Sequence, residues 1–301
     1  MSQKSVITGG AGFIGSHIVD ALIAHGDEVH VIDNYIAGKR DDRFNAQATY
    51  HEVDVRDYDA ITPIIAGADY VFHLAALPRV QYSIDEPLES FSVNVGGTIA
   101  ALRAAAAGGV KRFVLASTAA IYGDQDQMPI VETMNPTPKS PYGLHKSMSE
   151  QACKLWSDIY GLDTVALRFF NVYGSRLDPE GAYALVVGKF LTLRTQGQPL
   201  TIAGDGTHTR DYVHVSDVVR ANLLAAESTS GNGEVFNIAT GTETSVNDLA
   251  QLIGGETAPA EARLEPARCV ADISKARTVL GWEPQIALKD GLVDLKKEMG
   301  I

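Results

Sequence analysis

Short apolar runs alternate with longer amphipathic stretches through the first 170 residues. Lys4-Ser5-Val6-Ile7-Thr8 reads as a buried strand, and Phe13, Ile14, Ile18, Leu22 and Ile23 behind it recur at helical spacing. A second strand covers Glu28–Ile32 and ends in Asp33. A third lies near Thr49–Val53 and ends at Asp54, before a helix around Asp59–Ala66. Asp69–Leu74 reads as the fourth strand, closing on the small pair Ala75-Ala76, and an alanine-dense helix follows over roughly Leu88–Ala107. The fifth strand, Arg112–Ala116, leads into Ser117-Thr118. A helix then runs from about Pro141 to Tyr160, followed by a sixth strand at Thr164–Phe170. This rhythm predicts an α/β fold, a doubly wound parallel sheet with helices on both faces. Ligands are expected at the carboxyl ends of the strands.

Beyond Asn171 the rhythm loosens. A loop containing Arg176-Leu177-Asp178-Pro179-Glu180-Gly181 precedes a helix near Tyr183–Thr195, a short strand at Leu200–Ala203 and the turn Gly204-Asp205-Gly206. A helix from about Val215 to Glu227 and a strand at Val235–Ile238 follow. The remainder reads as short helices broken by Gly and Pro. A chain that crosses between domains more than once is expected here.

Thr8-Gly9-Gly10-Ala11-Gly12-Phe13-Ile14-Gly15-Ser16-His17 places glycines at the first strand-to-helix turn. There the backbone can approach a ligand closely, and the helix start offers free N–H groups to a pyrophosphate. The pattern fits G-x-G-x-x-G (10, 12, 15) and G-x-x-G-x-x-G (9, 12, 15), and spacing alone does not choose. Asp33 stands where an acid meets the adenosine ribose of a dinucleotide and would repel a 2′-phosphate, which favours NAD over NADP. Lys39 and Arg40 follow closely and leave NADP as the alternative.

The net charge of −12 argues against nucleic acid and anionic membrane as partners. With 301 residues and 45% hydrophobic content, the chain can bury a large core in one or two domains. Cys153 and Cys269 give no disulfide framework and fit a reducing compartment. With no secretory h-region and no apolar run of spanning length, a cytoplasmic protein is expected. No His/Cys/Asp/Glu cluster has metal-ligand spacing, so no metal is expected.

Tyr142 and Lys146, four apart at the start of a helix, share a face. A phenol is a poor base at neutral pH, but an ammonium and a positively charged nicotinamide nearby would favour the phenolate. The same Tyr-x-x-x-Lys pattern recurs at Tyr35–Lys39, in a loop with a glycine inside it, where no shared helical face is expected. Ser117 and Thr118 end the fifth strand, where a hydroxyl can meet a substrate oxygen or simply cap a turn. Taken singly, Arg210 reads as solvated surface, Cys269 as core filler and His145 as an exposed helix position.

Together these residues resemble an extended short-chain dehydrogenase/reductase with a Rossmann-like sheet, within the UDP-glucose (UDP-galactose) 4-epimerase group. The resemblance spans essentially the whole chain. It rests on Thr8–His17, Asp33-Asn34, Asp54-Val55, Leu74-Ala75-Ala76, Asn94–Thr98, Ser117–Gly123, Tyr142–Lys146, Leu167–Gly174, Gly206–Asp217 and Ala271–Trp282. It implies NAD as cofactor, held by Gly9, Gly12, Phe13 and Ile14 at the pyrophosphate and by Asp33 and Asn34 at the adenosine ribose. Asp54 and Val55 would flank adenine, and Lys146 would hold the nicotinamide ribose. Leu74, Ala75, Ala76, Asn94, Ala116, Tyr142 and Phe169 would complete the cofactor site. Tyr142 would be the base, with Thr118 its hydroxyl partner and Lys146 beside it. The UDP-sugar would meet Ser117, Thr118, Asn171, Val186, Thr201, Arg210, Arg263 and Cys269. The usual Arg-Pro-Gly-Asp run reads Arg263-Leu264-Glu265-Pro266 here, in a loop one residue shorter.

The implied reaction is 4-epimerisation. Tyr142 takes the 4-hydroxyl proton while hydride leaves C4 for NAD, and the 4-keto sugar turns over before hydride returns. A smaller, discontinuous C-terminal domain (171–210 and 240–301) would bind the nucleotide sugar, while 211–239 returns to the NAD-binding domain of 1–170. A homodimer through the helices at 88–107 and 141–160 is also implied. Cys269, in place of the tyrosine that restricts the site to plain hexoses, would leave room for an N-acetyl group, as the Asn171–Tyr183 segment also suggests. The alternatives are a UDP-glucuronate 4-epimerase, another nucleotide-sugar-modifying relative, or a non-catalytic NAD-sensing protein. Dehydratases and decarboxylases carry acidic residues just after the active-site threonine, where this chain has Ala119 and Ala120.

Overall fold

The computed structural model describes residues 2–177, 186–261 and 266–301. The first half runs β1 (Lys4–Thr8), α1 (Phe13–His25), β2 (Glu28–Asp33), β3 (Thr49–Glu52), α2 (Tyr58–Ile65) and β4 (Tyr70–His73). It continues through α3 (Val80–Asp85), α4 (Pro87–Phe91), α5 (Gly97–Ala107), β5 (Arg112–Thr118), α6 (Pro141–Tyr160) and β6 (Asp163–Phe169). Then come β7 (Asn171–Tyr173), α7 (Val186–Thr195), β8 (Leu200–Ala203), β9 (Thr209–Arg210), β10 (Tyr212–His214) and α8 (Val215–Glu227). The chain closes with β11 (Glu234–Ile238), β12 (Thr244–Ser245), α9 (Val246–Ile253), β13 (Thr257–Ala260) and α10 (Leu288–Glu298).

Seven strands form one parallel sheet in the order β11-β6-β5-β4-β1-β2-β3. The order reverses between β1 and β4, which opens the crevice where doubly wound sheets bind ligands. Neighbouring strand residues serve opposite faces. Ile7, Val114 and Leu167 pack toward α1 and α8, whereas Val6, Phe113 and Leu115 pack toward α2 and α5. Burial on both faces is why these strands read as unbroken apolar runs. A separate cluster of Phe190, Leu191, Leu200, Leu249, Ile253 and Leu292 holds α7, β8, α9 and α10 together. The strand Glu234–Ile238 pairs with β6 at the sheet edge, although 64 residues separate the two strands in the chain.

The helix expected over Leu88–Ala107 is interrupted by a wide π turn at Ser92–Gly96, and α3 precedes it. In that turn Asn94 is buried and clasps the loop after β4. Its Oδ1 accepts from the Leu77 N–H (2.7 Å), and its Nδ2 donates to the Leu77 carbonyl (3.1 Å). His145 is not exposed. It is buried with Nδ1 3.1 Å from the Ser90 hydroxyl, because α6 packs against α4.

His73, fully buried at the end of β4, joins three elements. Its Nδ1 lies 2.8 Å from Thr8 Oγ1 and its Nε2 3.0 Å from Thr98 Oγ1. The Thr98 hydroxyl already donates to the Asn94 carbonyl (2.6 Å), so it accepts from Nε2–H, and the Thr8 hydroxyl donates to Nδ1. A neutral imidazole satisfies both partners, and burial depresses its pKa to about 3. The unfolded chain therefore binds the proton more readily. Stability from His73 is complete above about 6.5 and is lost as pH falls toward 3. Thermal melts from pH 7.5 down to 4 should show a steeper acid loss in the parent than in His73→Gln, by roughly one proton taken up on unfolding. Parallel curves would assign the acid sensitivity to other groups.

Candidate active site

The glycine turn sits at the switch point and touches backbone on both sides. Gly9 has φ +74, and a Cβ there would come within 2.6 Å of the Ala75 nitrogen. A Cβ on Gly15 would overlap the Gly9 carbonyl oxygen, so α1 packs on its own turn more closely than a side chain permits. Gly12 caps α1 in extended conformation with no side-chain cap, leaving the first-turn N–H groups of Phe13 and Ile14 without an intrahelical acceptor. Those donors point out of a helix start beside a cradle kept clear by glycine. That arrangement fits the pyrophosphate of NAD.

Asp33 is bound into the same turn. Its carboxylate accepts from the Ala11 N–H (3.0 Å) and the Tyr35 N–H (2.8 Å), while burial raises its pKa. The two cations that left NADP open are engaged elsewhere. Lys39 pairs with Glu52 (2.7 Å) and Arg40 with Asp42 (2.8 Å). Asp54 is held by Arg56 and by the Asn34 amide (3.2 Å), and Val55 is buried against Gly97 of α5. Across the crevice the Leu74 N–H donates to the Thr8 carbonyl (2.9 Å) and the Ala75 N–H to the Thr8 hydroxyl (3.3 Å), with Ala76 next in the chain.

At the carboxyl end of β5, α6 brings in its first turn. Ser140 caps the helix by accepting from the Gly143 N–H (3.2 Å), and Pro141 takes the first-turn position that has no amide hydrogen to lose. A Cβ on Gly143 would lie 2.6 Å from the Ala120 carbonyl oxygen, so the helix start rests directly on the Ala119–Ile121 turn. This docking buries Tyr142 and brings its hydroxyl into a hydrogen bond with Thr118. Lys146, one turn on, is buried and donates to the Ala116 carbonyl (2.9 Å). Burial pushes the Tyr142 phenol up to about 12, against the pull of the Thr118 bond, and depresses Lys146 to about 8. Thr118 also accepts from the Ala120 N–H (3.2 Å), so it serves both as turn cap and as the partner of Tyr142. Tyr35 and Lys39 sit in an irregular loop, with the ammonium 4.2 Å from the ring centre.

Two expected contact residues are occupied by the protein itself. Ser117 turns toward the Glu150 carboxylate (2.6 Å) under α6, because alternate strand residues face opposite sides. Asn94 spends its amide on Leu77 and Ser90. On the second side of the crevice, the Asn171 amide donates to the Asp211 carbonyl (2.9 Å). Arg210 Nη1 donates to the Thr209 (2.7 Å) and Pro266 (2.9 Å) carbonyls. Cys269 is half-buried, its thiol raised to about 11 by burial while the Arg210 charge pulls the other way. Phe169 closes β6, Val186 opens α7 half-buried, and Thr201 on β8 keeps a buried hydroxyl with no protein partner among the described residues. Arg263 and the segment 178–185 lie outside the described residues.

The sequence pattern does not single out Asp211. Its fully buried carboxylate accepts from the Thr240 N–H and hydroxyl (both 2.7 Å), the Gly241 N–H (2.8 Å) and the Ala271 N–H (3.3 Å). It therefore collects three segments behind Arg210. Its position between Arg210 and Tyr212 was the available signal.

A nucleotide crevice with a buried Tyr–Lys pair defines a class, and the sequence model of the NAD dependent epimerase/dehydratase family matches residues 5–239. The chain belongs to that family. It is 39% identical over 298 residues to a protein of Methanocaldococcus jannaschii named as a putative UDP-glucose 4-epimerase, covering 95% of each chain. The crystal structure of UDP-glucose 4-epimerase from Thermotoga maritima with UDP-glucose superposes with a TM-score of 0.93 at 40% identity, covering 99% of this chain and 100% of that one. The UDP-N-acetylglucosamine 4-epimerase of Methanobrevibacter ruminantium, in complex with UDP-N-acetylmuramic acid, gives 0.92 at 34% identity, covering 99% of both chains. No helix among the described residues is long and apolar enough to cross a membrane.

Gly15→Ala should fold yet lose bound NAD, because the added methyl forces α1 away from Gly9 and misdirects the first-turn N–H groups. The absorbance ratio at 260 and 280 nm of the purified variant checks this. A ratio matching the parent's would sink the assignment.

Proposed function

We propose that this chain is an NAD-dependent UDP-hexose 4-epimerase. It would interconvert UDP-glucose and UDP-galactose, and the N-acetylhexosamine pair, through a transient 4-keto sugar. The observation that carries the reading is the Thr118–Tyr142–Lys146 set at the end of β5, two strands from the glycine turn after β1 in the same parallel sheet. The relatives named as UDP-glucose 4-epimerases match it along nearly the whole chain.

NAD, when bound, supplies the reversible acceptor for the hydrogen at C4. Gly9, Gly12, Phe13 and Ile14 hold its pyrophosphate, Asp33 and Asn34 its adenosine ribose, and Lys146 the nicotinamide ribose. Tyr142 exchanges the proton of the sugar 4-hydroxyl, and Thr118 orients the phenol. With burial holding the phenol near 12, proton abstraction needs positive charge beside it. The Lys146 ammonium is the resident one, and an oxidised nicotinamide brings another. Asn171 and Arg210 grip the diphosphate, which leaves the hexose free to turn over. Ala119 and Ala120 supply no acid or base for eliminating water.

Residues 1–170 and 211–239 form the NAD-binding unit in this reading, with 171–210 and 240–301 around the UDP-sugar. Two free thiols fit a cytoplasmic enzyme. Leu88, Phe91 and Ile99 expose an apolar stripe beside Leu144, Met148, Leu155 and Ile159 of α6. Exposed apolar patches of this kind mark association surfaces, which supports a homodimer through these helices. Light scattering should give twice the chain mass, and Leu155→Glu should halve it.

Tyr142→Phe should lower turnover about 10²- to 10⁴-fold while NAD stays bound, because the proton acceptor is gone and the fold is not. Turnover near the parent's on UDP-galactose would remove Tyr142 from the mechanism. Cys269→Tyr should abolish activity on UDP-N-acetylglucosamine and spare UDP-glucose, since overfilling a packed site costs ~1–3 kcal/mol. Equal effects on both substrates would mean that Cys269 does not gate the sugar.

A further inference from the structure

One buried ion pair lies under the acid–base helix and takes no part in the chemistry above. Tyr142, Lys146 and Glu150 follow one another at four-residue intervals on the inner face of α6, and all three are buried. Glu150 is paired with Arg168 of β6. Arg168 Nε donates to Oε1 (2.9 Å) and Nη2 to Oε2 (2.7 Å), with both side chains almost wholly buried. Ser117 on β5 stands opposite Arg168 in the strand register, and its hydroxyl donates to the same Oε1 (2.6 Å). The remaining Arg168 nitrogen, Nη1, donates to the Tyr122 hydroxyl (2.7 Å). The carboxylate is thus fixed from two strands at once, one turn beyond the lysine that donates to the Ala116 carbonyl.

We propose that Glu150 is a positioning residue for the acid–base pair: clamped by Ser117 and Arg168, it fixes the rotation and depth of α6 on β5, and so the places of Lys146 and Tyr142. Stability alone does not account for the pair. Two charges out of water cost about as much as they return, and apolar residues of equal size often fill such a site as well. What a bidentate, three-donor clamp adds is geometry. A rotation of α6 moves Lys146 off Ala116 and Tyr142 off Thr118 together, since all three residues share the face. The Glu150 charge also pulls the Lys146 pKa upward, against the larger effect of burial. Ala116, Ser117 and Thr118, three consecutive residues of β5, each take one of the three partners on α6.

The proposal rests on the epimerase reading for its activity measurements and on NAD affinity for an independent one. In the full-length protein, Glu150→Gln should lower kcat for UDP-glucose/UDP-galactose interconversion about 10- to 100-fold, the scale of a small misplacement of reacting groups. KM should change less than about threefold, because the UDP grip is elsewhere. The cofactor-stripped variant should bind NAD roughly tenfold more weakly in calorimetry, as expected for one displaced charged hydrogen bond. Glu150→Met/Arg168→Met removes both charges together and keeps the core filled. It should melt near the parent and still show these losses. A double variant that melts like the parent, turns over within about threefold of it and binds NAD as tightly overturns the proposal. If the parent epimerises no UDP-hexose, the functional reading fails separately. The NAD affinities then decide: weakening in the variants supports the positioning role, and equal affinity overturns it.

Discussion

The rest of the structure depends on the backbone contact between the β1 turn and the end of β4. At the switch point a ligand lies in the gap between two strand ends, so the width of that gap sets what can enter. Gly9 touches Ala75 main chain to main chain, and Gly15 touches Gly9, which leaves the first-turn amides of α1 at the crevice with no side chain over them. Each glycine costs roughly 0.5–1 kcal/mol in conformational freedom. The core clusters on both faces of the sheet are large enough to carry that cost. The His73 relay extends the same contact inward: Thr8 on β1, Thr98 on α5 and the β4 end are tied by one neutral ring. The cofactor turn and the helices behind it thus keep one spacing.

In the proposed mechanism, acid–base chemistry is placed where burial opposes it. Raising a phenol from its ordinary value near 10 to about 12 disfavours the ionised form by roughly 3 kcal/mol. That net cost already includes the opposing hydrogen bond with Thr118, worth only about 1 kcal/mol. Burial wins, so Tyr142 stays protonated in neutral solution, and in the proposed mechanism a positive charge besides the Lys146 ammonium is needed to move its proton. Lys146 feels the same desolvation in the opposite sense and is held near 8, still charged in neutral solution. This arrangement makes a poor free base, so proton transfer is tied to an occupied site.

Much of this was legible because the signals were local. The seven sheet strands lie where apolar runs fall, and α6 and α8 begin and end where Pro141, Tyr160, Val215 and Glu227 put them. The short pairs β7–β10, β9–β12 and β8–β13 were not fully legible, because strands of two to four residues carry no period and their partners are distant. The π turn inside the Leu88–Ala107 stretch is set by the clasp of Asn94 on Leu77, a contact across 17 residues. His145 was misread as exposed because a polar helix side chain looks free until its packed neighbour, Ser90, is known, and the Glu150 partner of Ser117 was hidden in the same way. The glycine turn, Asp33 and the Tyr142–Lys146 pair could be read from spacing, and the other expected site residues only from the resemblance to a family. Which of them were already spent could not.

The same logic explains why the chain must interleave its two halves. Asn171 opens β7 and Arg210 closes β9, and the segments around Thr240 and Ala271 come from later still. No strand ladder joins them all. Asp211 does, by taking the Asn171 amide on its carbonyl and four further hydrogen bonds on one buried carboxylate. A buried carboxylate is expensive unless every lone pair is used, and here the backbone donors it needs are supplied only when all three segments are in place. The burial cost therefore becomes a condition on assembly: these segments close correctly, or leave a desolvated charge unpaired. Two buried acids, Glu150 on α6 and Asp211 after β9, tie distant segments together by the same physics.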